Sequence, residues 1–179
     1  MDWIEETKLK LKKKNKILFS DRSILLKDLA EALAGENRRV LILWAFDLAQ
    51  QTAGVLEERY PFDTRPMRAL EVCGLWAQGK VKMPEARRAI LDCHRAAKVR
   101  DSEEDIALYH AVGQACSVVH TGRHAIGFPI YELTALVRGY GIEACREPVE
   151  KRVEEYWEKL RFWSTHEEQA PLQWAEFLR

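Results

Sequence analysis

Apolar residues recur along the chain at spacings of three and four, which is the period of an amphipathic helix. The clearest case is residues 37–58, where one broad apolar face consists of Leu41, Trp44, Leu48, Val55 and Leu56. Runs of alternating β-branched residues, which indicate strands, are nearly absent. The pattern predicts an all-α fold, a compact multi-helix bundle of about seven to eight helices.

Capping residues, glycines and prolines set the expected helix limits. The helices predicted in the first part of the chain cover the lysine-rich start and residues 23–34, 37–58, 65–78 and 84–99. Ser20 or Asp21 is placed to cap the second of these helices. We expect Gly35 to end it, because glycine reaches the left-handed conformation without strain.

A long helix is predicted to follow Asp101 or Ser102 and to reach about Tyr140. We expect interruptions in it at residues 121–122 and again at 127–129. Pro129 cannot donate a backbone hydrogen bond and therefore predicts a kink or a break there. A last long helix should follow Pro148, with a short turn around Trp174.

Length and composition predict one helical domain over residues 1–179. It would have a lysine-rich arm and helix at 1–35, a core at 36–141 and a helical extension at 147–179. The 28 basic and 28 acidic side chains give a formal net charge of zero, which offers no general argument for nucleic acid or an anionic membrane. No apolar run is long enough to span a bilayer and no signal-peptide pattern opens the chain, so we expect a cytoplasmic protein. The four cysteines are widely spaced, and we expect them to be free and mostly buried.

Candidate chemistry lies in the stretch CSVVHTGRH. If it is helical, Cys116, His120 and His124 stand one turn apart on one face. Such a histidine pair can hold zinc, with a third ligand such as His94 or His110 from another helix. The glutamate of an HExxH motif is missing, however, and small residues nearby suit a buried helix face. We therefore expect the histidines to face the interior, bonded to carboxylates and backbone groups, with no metal and no other cofactor.

A second polar group occurs in FDTRPMRALEVCGLW. Arg65 is biased towards an extended conformation by the proline that follows, while Arg68 and Glu71 lie one turn apart on the next helix. Arginines near Asp63 could hold an anionic ligand, because guanidinium offers a planar bidentate fork. We favour the simpler interpretation, a salt-bridge cluster that fixes the start of the helix.

Asp47 is the remaining polar candidate, since it lies among apolar residues in LWAFDLAQ and needs a partner there. We predict one polar cluster between helices, made of Asp47, Arg65, Glu71, His120 and His124. The six lysines of KLKLKKKNK lack the interleaved aromatic residues of single-strand binders, and we expect a solvated arm.

The motifs around these residues resemble the all-helical immunity protein family of bacterial polymorphic toxin–immunity systems. The resemblance consists of a tryptophan-aspartate helix, an Asp-x-Arg-Pro-x-x-Ala-Leu-Glu stretch that leads to Trp-Ala-x-Gly, and a His-x-x-x-His-Ala pattern. The positions that carry it are Trp44, Asp47, Asp63, Arg65, Pro66, Ala69, Leu70, Glu71, Trp76, Ala77, Gly79, His120, His124 and Ala125. They span about the middle three-fifths of the chain and leave the N-terminal arm and the C-terminal tail outside.

The resemblance implies a non-enzymatic protein that binds a cognate toxin protein domain made by the same cell and blocks it. It implies neither nucleic acid nor a membrane as partner. Two alternatives stay open. One is a metal-dependent helical-bundle enzyme that uses His120 and His124, with Cys116 as a further candidate ligand. The other is a structural or regulatory module that pairs through its tryptophans as a homodimer.

Overall fold

The computed structural model describes all 179 residues and contains eight α-helices and no strand. The helices are α1 (Trp3–Lys12), α2 (Lys27–Ala34), α3 (Arg38–Arg59), α4 (Arg65–Ala77), α5 (Met83–Ala96), α6 (Glu103–Cys116), α7 (Gly127–Tyr140) and α8 (Arg146–Thr165). Short 3₁₀ turns lie at residues 97–99, 117–119, 122–124, 167–169 and 176–178. The prediction of an all-α bundle is confirmed. No helix combines the length and the apolar character that a bilayer-spanning helix requires.

The helices share one contiguous apolar core that extends from Trp3 in α1 to Leu178 near the C-terminus. The α6 helix is central and packs against α3, α4, α5 and α7, while α3 also packs against α8. Trp44 of α3 is fully buried, and its indole N–H donates to the backbone carbonyl of Tyr156, 2.9 Å away. This bond satisfies the one polar atom of a large apolar side chain and fixes α8 against α3.

The limits of α3 agree closely with the expected 37–58, because Asn37 caps the helix by accepting from the backbone N–H of Val40 at 3.1 Å. The expected start of α2 was wrong. The Ser23 hydroxyl is bonded to Glu6 of α1 and to the backbone N–H of Ser20, so this segment forms turns and the helix begins only at Lys27. Gly35 follows the helix in an ordinary right-handed conformation, with φ −87° rather than the predicted positive value.

The helix predicted after Ser102 was expected to be interrupted at 121–122 and at 127–129. An interruption is present and divides the segment into two helices, but it begins earlier, because α6 ends at Cys116. Val118 and Val119, consecutive in the chain, are both fully buried. The backbone leaves the helix after Cys116 and passes through 3₁₀ turns at 117–119 and 122–124 before α7 begins at Gly127. Pro129 lies in the first turn of α7, where no N–H is needed, so it helps to start a helix and does not kink one.

A buried polar network joins three helices beneath the surface. The Glu132 carboxylate of α7 accepts from Arg152 of α8 at 2.9 and 3.0 Å, and also from the hydroxyls of Thr52 and Tyr156. Ionised side chains are costly to bury unless paired, and here every carboxylate oxygen has partners. All four cysteines are buried and none forms a disulfide, as expected.

Candidate functional site

The loop between α3 and α4, residues 60–64, presents the most exposed large apolar side chain of the protein. Phe62 is 99% exposed, although the loop that carries it is a closed turn in which the backbone N–H of Asp63 donates to the carbonyl of Tyr60 at 2.9 Å. A fully hydrated phenyl ring costs free energy in an isolated protein. Such a ring on an ordered loop is typical of a contact surface.

The Asp63 carboxylate fixes this loop to the bundle. It accepts from Arg65 Nε and Nη2 at 2.7 and 2.8 Å, from the phenol of Tyr109 in α6 at 3.0 Å, and from Arg100. The bidentate bond from Arg65 holds the pKa of Asp63 well below its usual range, against burial, which raises it. Asp63 is therefore ionised throughout the neutral range and serves as the shared acceptor for two guanidinium groups.

Arg100, in the segment between the 97–99 turn and α6, lies against two tyrosine rings. The carbon of its guanidinium is 3.9 Å from the ring centre of Tyr60 and 5.0 Å from that of Tyr109. It also donates to the Tyr109 hydroxyl at 2.9 Å. Cation–π contacts and hydrogen bonds thus hold Arg100 in one position behind the loop.

The other end of the loop is held by Arg59, the last residue of α3. Arg59 bonds Glu104 of α6 at 3.0 Å and also the buried Asp105, which accepts from the phenol of Tyr60 as well. The loop is therefore tied to α6 on both sides of Phe62. Its conformation is fixed before any partner arrives, which lowers the entropy cost of binding.

Two clefts open beside this loop and share Arg100 in their walls. The first, of about 570 Å³, contains Phe62 and the arginines Arg59 and Arg65. The second, of about 490 Å³, lies between α5 and α6 and contains Arg95 and Lys98. We call the two clefts together the Arg100 face.

A pair of histidines forms part of the second cleft. Nδ1 of His94 and Nδ1 of His110 are 2.8 Å apart, so one of the two carries the proton of this hydrogen bond. Burial lowers the pKa of His94 to about 4, with a further contribution from His110, and burial also lowers the pKa of His110. Both rings are uncharged at neutral pH and add no positive charge to the cleft.

The predicted histidine ladder is not assembled, because its three residues do not share a helix. Cys116 is fully buried at the end of α6, whereas His120 and His124 lie in the turns that follow and are only half-buried. The side-chain partner of His124 is Gln114, whose Oε1 is 3.1 Å from Nδ1, rather than the expected carboxylate. No group of three or more His, Cys, Asp or Glu side chains is placed to hold a metal ion.

His120 borders a separate cleft of about 730 Å³ next to α2, which Arg38 also lines, and Arg38 donates to the backbone carbonyls of Val119 and His120. Burial lowers the pKa of His120, with smaller contributions from His124 and nearby arginines. This cleft contains acidic as well as basic side chains, among them Asp21 and Arg123.

The remaining predicted site residues also lie apart. Asp47 accepts from the indole of Trp163 and from Lys159, both at 2.9 Å, and so belongs to the contact between α3 and α8. Arg68 and Glu71 form an exposed ion pair of 3.3 Å within α4. No hydrogen bond or ion pair joins these residues to the histidines. The residues of the predicted single cluster therefore belong to several separate local arrangements. Arg65 is the one member of that cluster that lies in the Arg100 face. Asp63, which was predicted as a separate candidate, also lies in this face.

The sequence reasoning missed the residues that complete this face. Phe62 was passed over because a single exposed aromatic residue in a loop has no periodic signal. Arg100 and Tyr109 are brought to the loop by the packing of α6, which no local pattern in the sequence indicates.

The fold and the site define a small all-helical protein in which a network of partly buried polar groups fixes one loop that carries an exposed aromatic residue. The chain belongs to the family described as "Imm-5 like putative immunity protein", whose model matches residues 31–159. This range extends beyond the predicted core of 36–141 and includes most of α8. Comparisons with curated proteins and with solved structures gave no match.

Proposed function

We propose that this protein is a non-catalytic immunity protein that binds a cognate toxin domain in the cytoplasm of the bacterial cell that makes both. The observation that carries the proposal is the family match over residues 31–159, which covers seven of the eight helices in whole or in part. Inhibition by binding requires only a complementary surface with a few anchoring side chains. The fixed α3–α4 loop with its exposed Phe62 supplies a surface of that kind.

The arrangement of the polar side chains supports binding rather than catalysis. Asp63 accepts hydrogen bonds from Arg65, Arg100 and Tyr109, and Arg100 also donates to Tyr109, so these groups are already used in holding the loop. A general acid or base needs a pKa near the working pH. Asp63 has instead a pKa far below neutral, because hydrogen bonds from Arg65, and a smaller contribution from the Tyr109 hydroxyl, stabilise its charge.

A titration of toxin activity tests both parts of this proposal. The toxin domain encoded by the adjacent upstream gene is purified, its activity is measured, and the full-length protein is added in increasing molar ratio. A binding inhibitor abolishes the activity at a molar ratio of one, whereas an enzyme that modifies the toxin does so at a far lower ratio. Growth rescue of a host that expresses the toxin domain supplies the cellular counterpart. A toxic neighbour whose activity is unaffected at any ratio would refute the proposal.

Two further measurements separate the alternatives. Light scattering of the free protein and of the mixture distinguishes a toxin complex from a homodimer that pairs through its tryptophans. Metal analysis of the purified protein, followed by an activity assay after chelation, addresses the metal-enzyme alternative. Inhibition that is unchanged by chelation supports the binding function.

A further inference from the structure

The walls of the Arg100 face have an uneven charge, although the whole protein is neutral. The basic side chains that line the two clefts are Arg59, Arg65, Arg95, Lys98 and Arg100, whereas the acidic side chain is Asp63 alone. Arg59 is paired with Glu104 and Asp105, and Arg95 with Asp92, so these two arginines are neutralised by acids that line neither cleft. The positive charge that remains at the Arg100 face belongs to Lys98 and to the two arginines that share Asp63, and it favours negative charge on a partner.

Part of this positive charge is not neutralised by ion pairs. Asp63 bonds Arg65 and Arg100 together, so a single carboxylate serves two guanidinium groups. Lys98 is exposed and takes part in no ion pair. An incoming carboxylate can therefore bond Lys98 without first breaking an ion pair, which keeps the desolvation cost low.

Exposed apolar side chains lie within and beside the same clefts. Phe62 is 99% exposed in the first cleft, Leu91 is 44% exposed in the second, and Val99, next to Arg100 in the chain, is 65% exposed. Aromatic anchors surrounded by charged side chains are the usual composition of protein contact surfaces. A nucleic-acid site would instead need stacked aromatic residues along a continuous basic groove.

We propose that the Arg100 face is the toxin-binding surface, and that it takes an acidic segment of the toxin with an apolar recess for Phe62. This inference rests on the proposed function and names the chemistry of its partner. Complementary charges steer the two proteins together, and burial of the Phe62 ring then supplies most of the affinity.

The cleft beside His120 indicates no partner charge. The cleft of about 730 Å³ beside His120 is lined by Asp21 and Glu36 as well as by Arg38 and Arg123, so its charges balance. The lysine run at the end of α1 offers positive charge, but Lys16 is its only member that lines one of these five clefts.

Binding of the toxin domain encoded by the adjacent gene is measured with the full-length protein and four variants. Phe62→Ala should weaken the affinity by at least about 30-fold, as expected for a central aromatic anchor. Lys98→Glu should slow association about tenfold at low salt, with the difference shrinking as salt is raised. The matched controls are Tyr140→Ala, an aromatic residue 57% exposed at the end of α7, and Lys13→Glu in the lysine run. Both controls should bind like the wild type, and all four variants should melt like it, because each removes only exposed atoms.

The possible results separate this inference from the proposed function. A wild-type protein that neither binds nor rescues overturns both. If the wild type binds and Phe62→Ala and Lys98→Glu bind equally well, or if the controls are the variants that weaken binding, the assignment of the Arg100 face as the binding surface is overturned and the proposed function stands. Binding of a single-stranded oligonucleotide through Lys98, with toxin binding unaffected by the same variant, overturns it in favour of a nucleic-acid partner.

Discussion

The phenol of Tyr109 donates a hydrogen bond to the Asp63 carboxylate, with the two oxygens 3.0 Å apart. The bond joins the α3–α4 loop to the middle of α6, the helix around which the bundle is packed. Because Asp63 also binds Arg65 and Arg100, one carboxylate determines where the exposed loop stands relative to the core.

Replacement of Asp63 by Asn should lower the free energy of unfolding by about 2 kcal/mol, because hydrogen bonds to a charged acceptor are lost at a site that is largely shielded from water. Denaturant unfolding measures the change. The matched control is Asp92→Asn, which removes a carboxylate from an exposed ion pair with Arg95 and should cost less than about 1 kcal/mol. Equal effects of the two variants would contradict the role assigned to Asp63.

Local signals explain which parts of the fold could be read from the sequence. The cap at Asn37 and the proline in the first turn of α5 act on neighbouring backbone, and the limits of α3 and α5 were accordingly close. The bond between Asp63 and Arg65, two residues apart, is also local, and the expected salt bridge at this helix start is present.

The rest depends on packing between distant segments. Arg100 and Tyr109 lie 37 and 46 positions from Asp63, so no spacing rule connects them to the loop. The histidine ladder failed for a similar reason. Its period assumes a continuous helix, whereas α6 ends at Cys116 and the two histidines lie in the turns between α6 and α7.

The buried histidine pair should make stability depend on pH. Burial lowers the pKa of His94 from 6.5 to about 4, so between these values the unfolded chain binds a proton at His94 that the folded protein does not. The free energy of unfolding should therefore fall as the pH is lowered from about 6.5 to about 4, and His110, whose pKa is also lowered by burial, acts in the same direction. Above pH 6.5 neither form of the chain is protonated at His94, so its contribution is constant there.

Unfolding curves of the wild type and of His94→Asn, collected across this pH range, check the expectation. The variant should be less stable at neutral pH, since the bond to His110 is lost, but its stability should change less steeply with pH. The control variant His166→Asn, just after α8, has the same number of histidines as His94→Asn. Its free energy of unfolding should change with pH as steeply as that of the wild type. A slope that is the same in all three proteins would rule out this role for His94.

The contact between α5 and α6 leaves no space for a side chain at Gly113. A Cβ atom there would lie 2.5 Å from Cε1 and Nε2 of His94, and the imidazole can move away only by giving up its hydrogen bond to His110. Gly113→Ala should therefore lower the free energy of unfolding by about 1–3 kcal/mol, as expected for overpacking.

Gly54→Ala provides the comparison for that variant, since a Cβ atom at this position in α3 meets nothing within 4 Å. It should raise the free energy of unfolding by about 0.5–1 kcal/mol, the difference in helix propensity between the two residues. Thermal unfolding of both variants is sufficient. If Gly113→Ala proved as stabilising as Gly54→Ala, the tight packing of His94 against α6 would be wrong.

The Glu132 network should be the most sensitive polar group of the protein. Glu132→Ala leaves the guanidinium of Arg152 without its main partner in a position where only 12% of that side chain is exposed, and it also removes the acceptor of two hydroxyls. Loss of one member of a buried ion pair costs about 3–5 kcal/mol.

Glu155→Ala also removes a carboxylate that Arg152 contacts, at 2.6 Å, but Glu155 is 37% exposed and its loss should cost less than about 1 kcal/mol. The double variant Glu132→Leu, Arg152→Met should recover much of the lost stability, because it replaces the unpaired charge by apolar volume. Urea unfolding of the three variants tests this account, and it fails if the double variant is as unstable as Glu132→Ala.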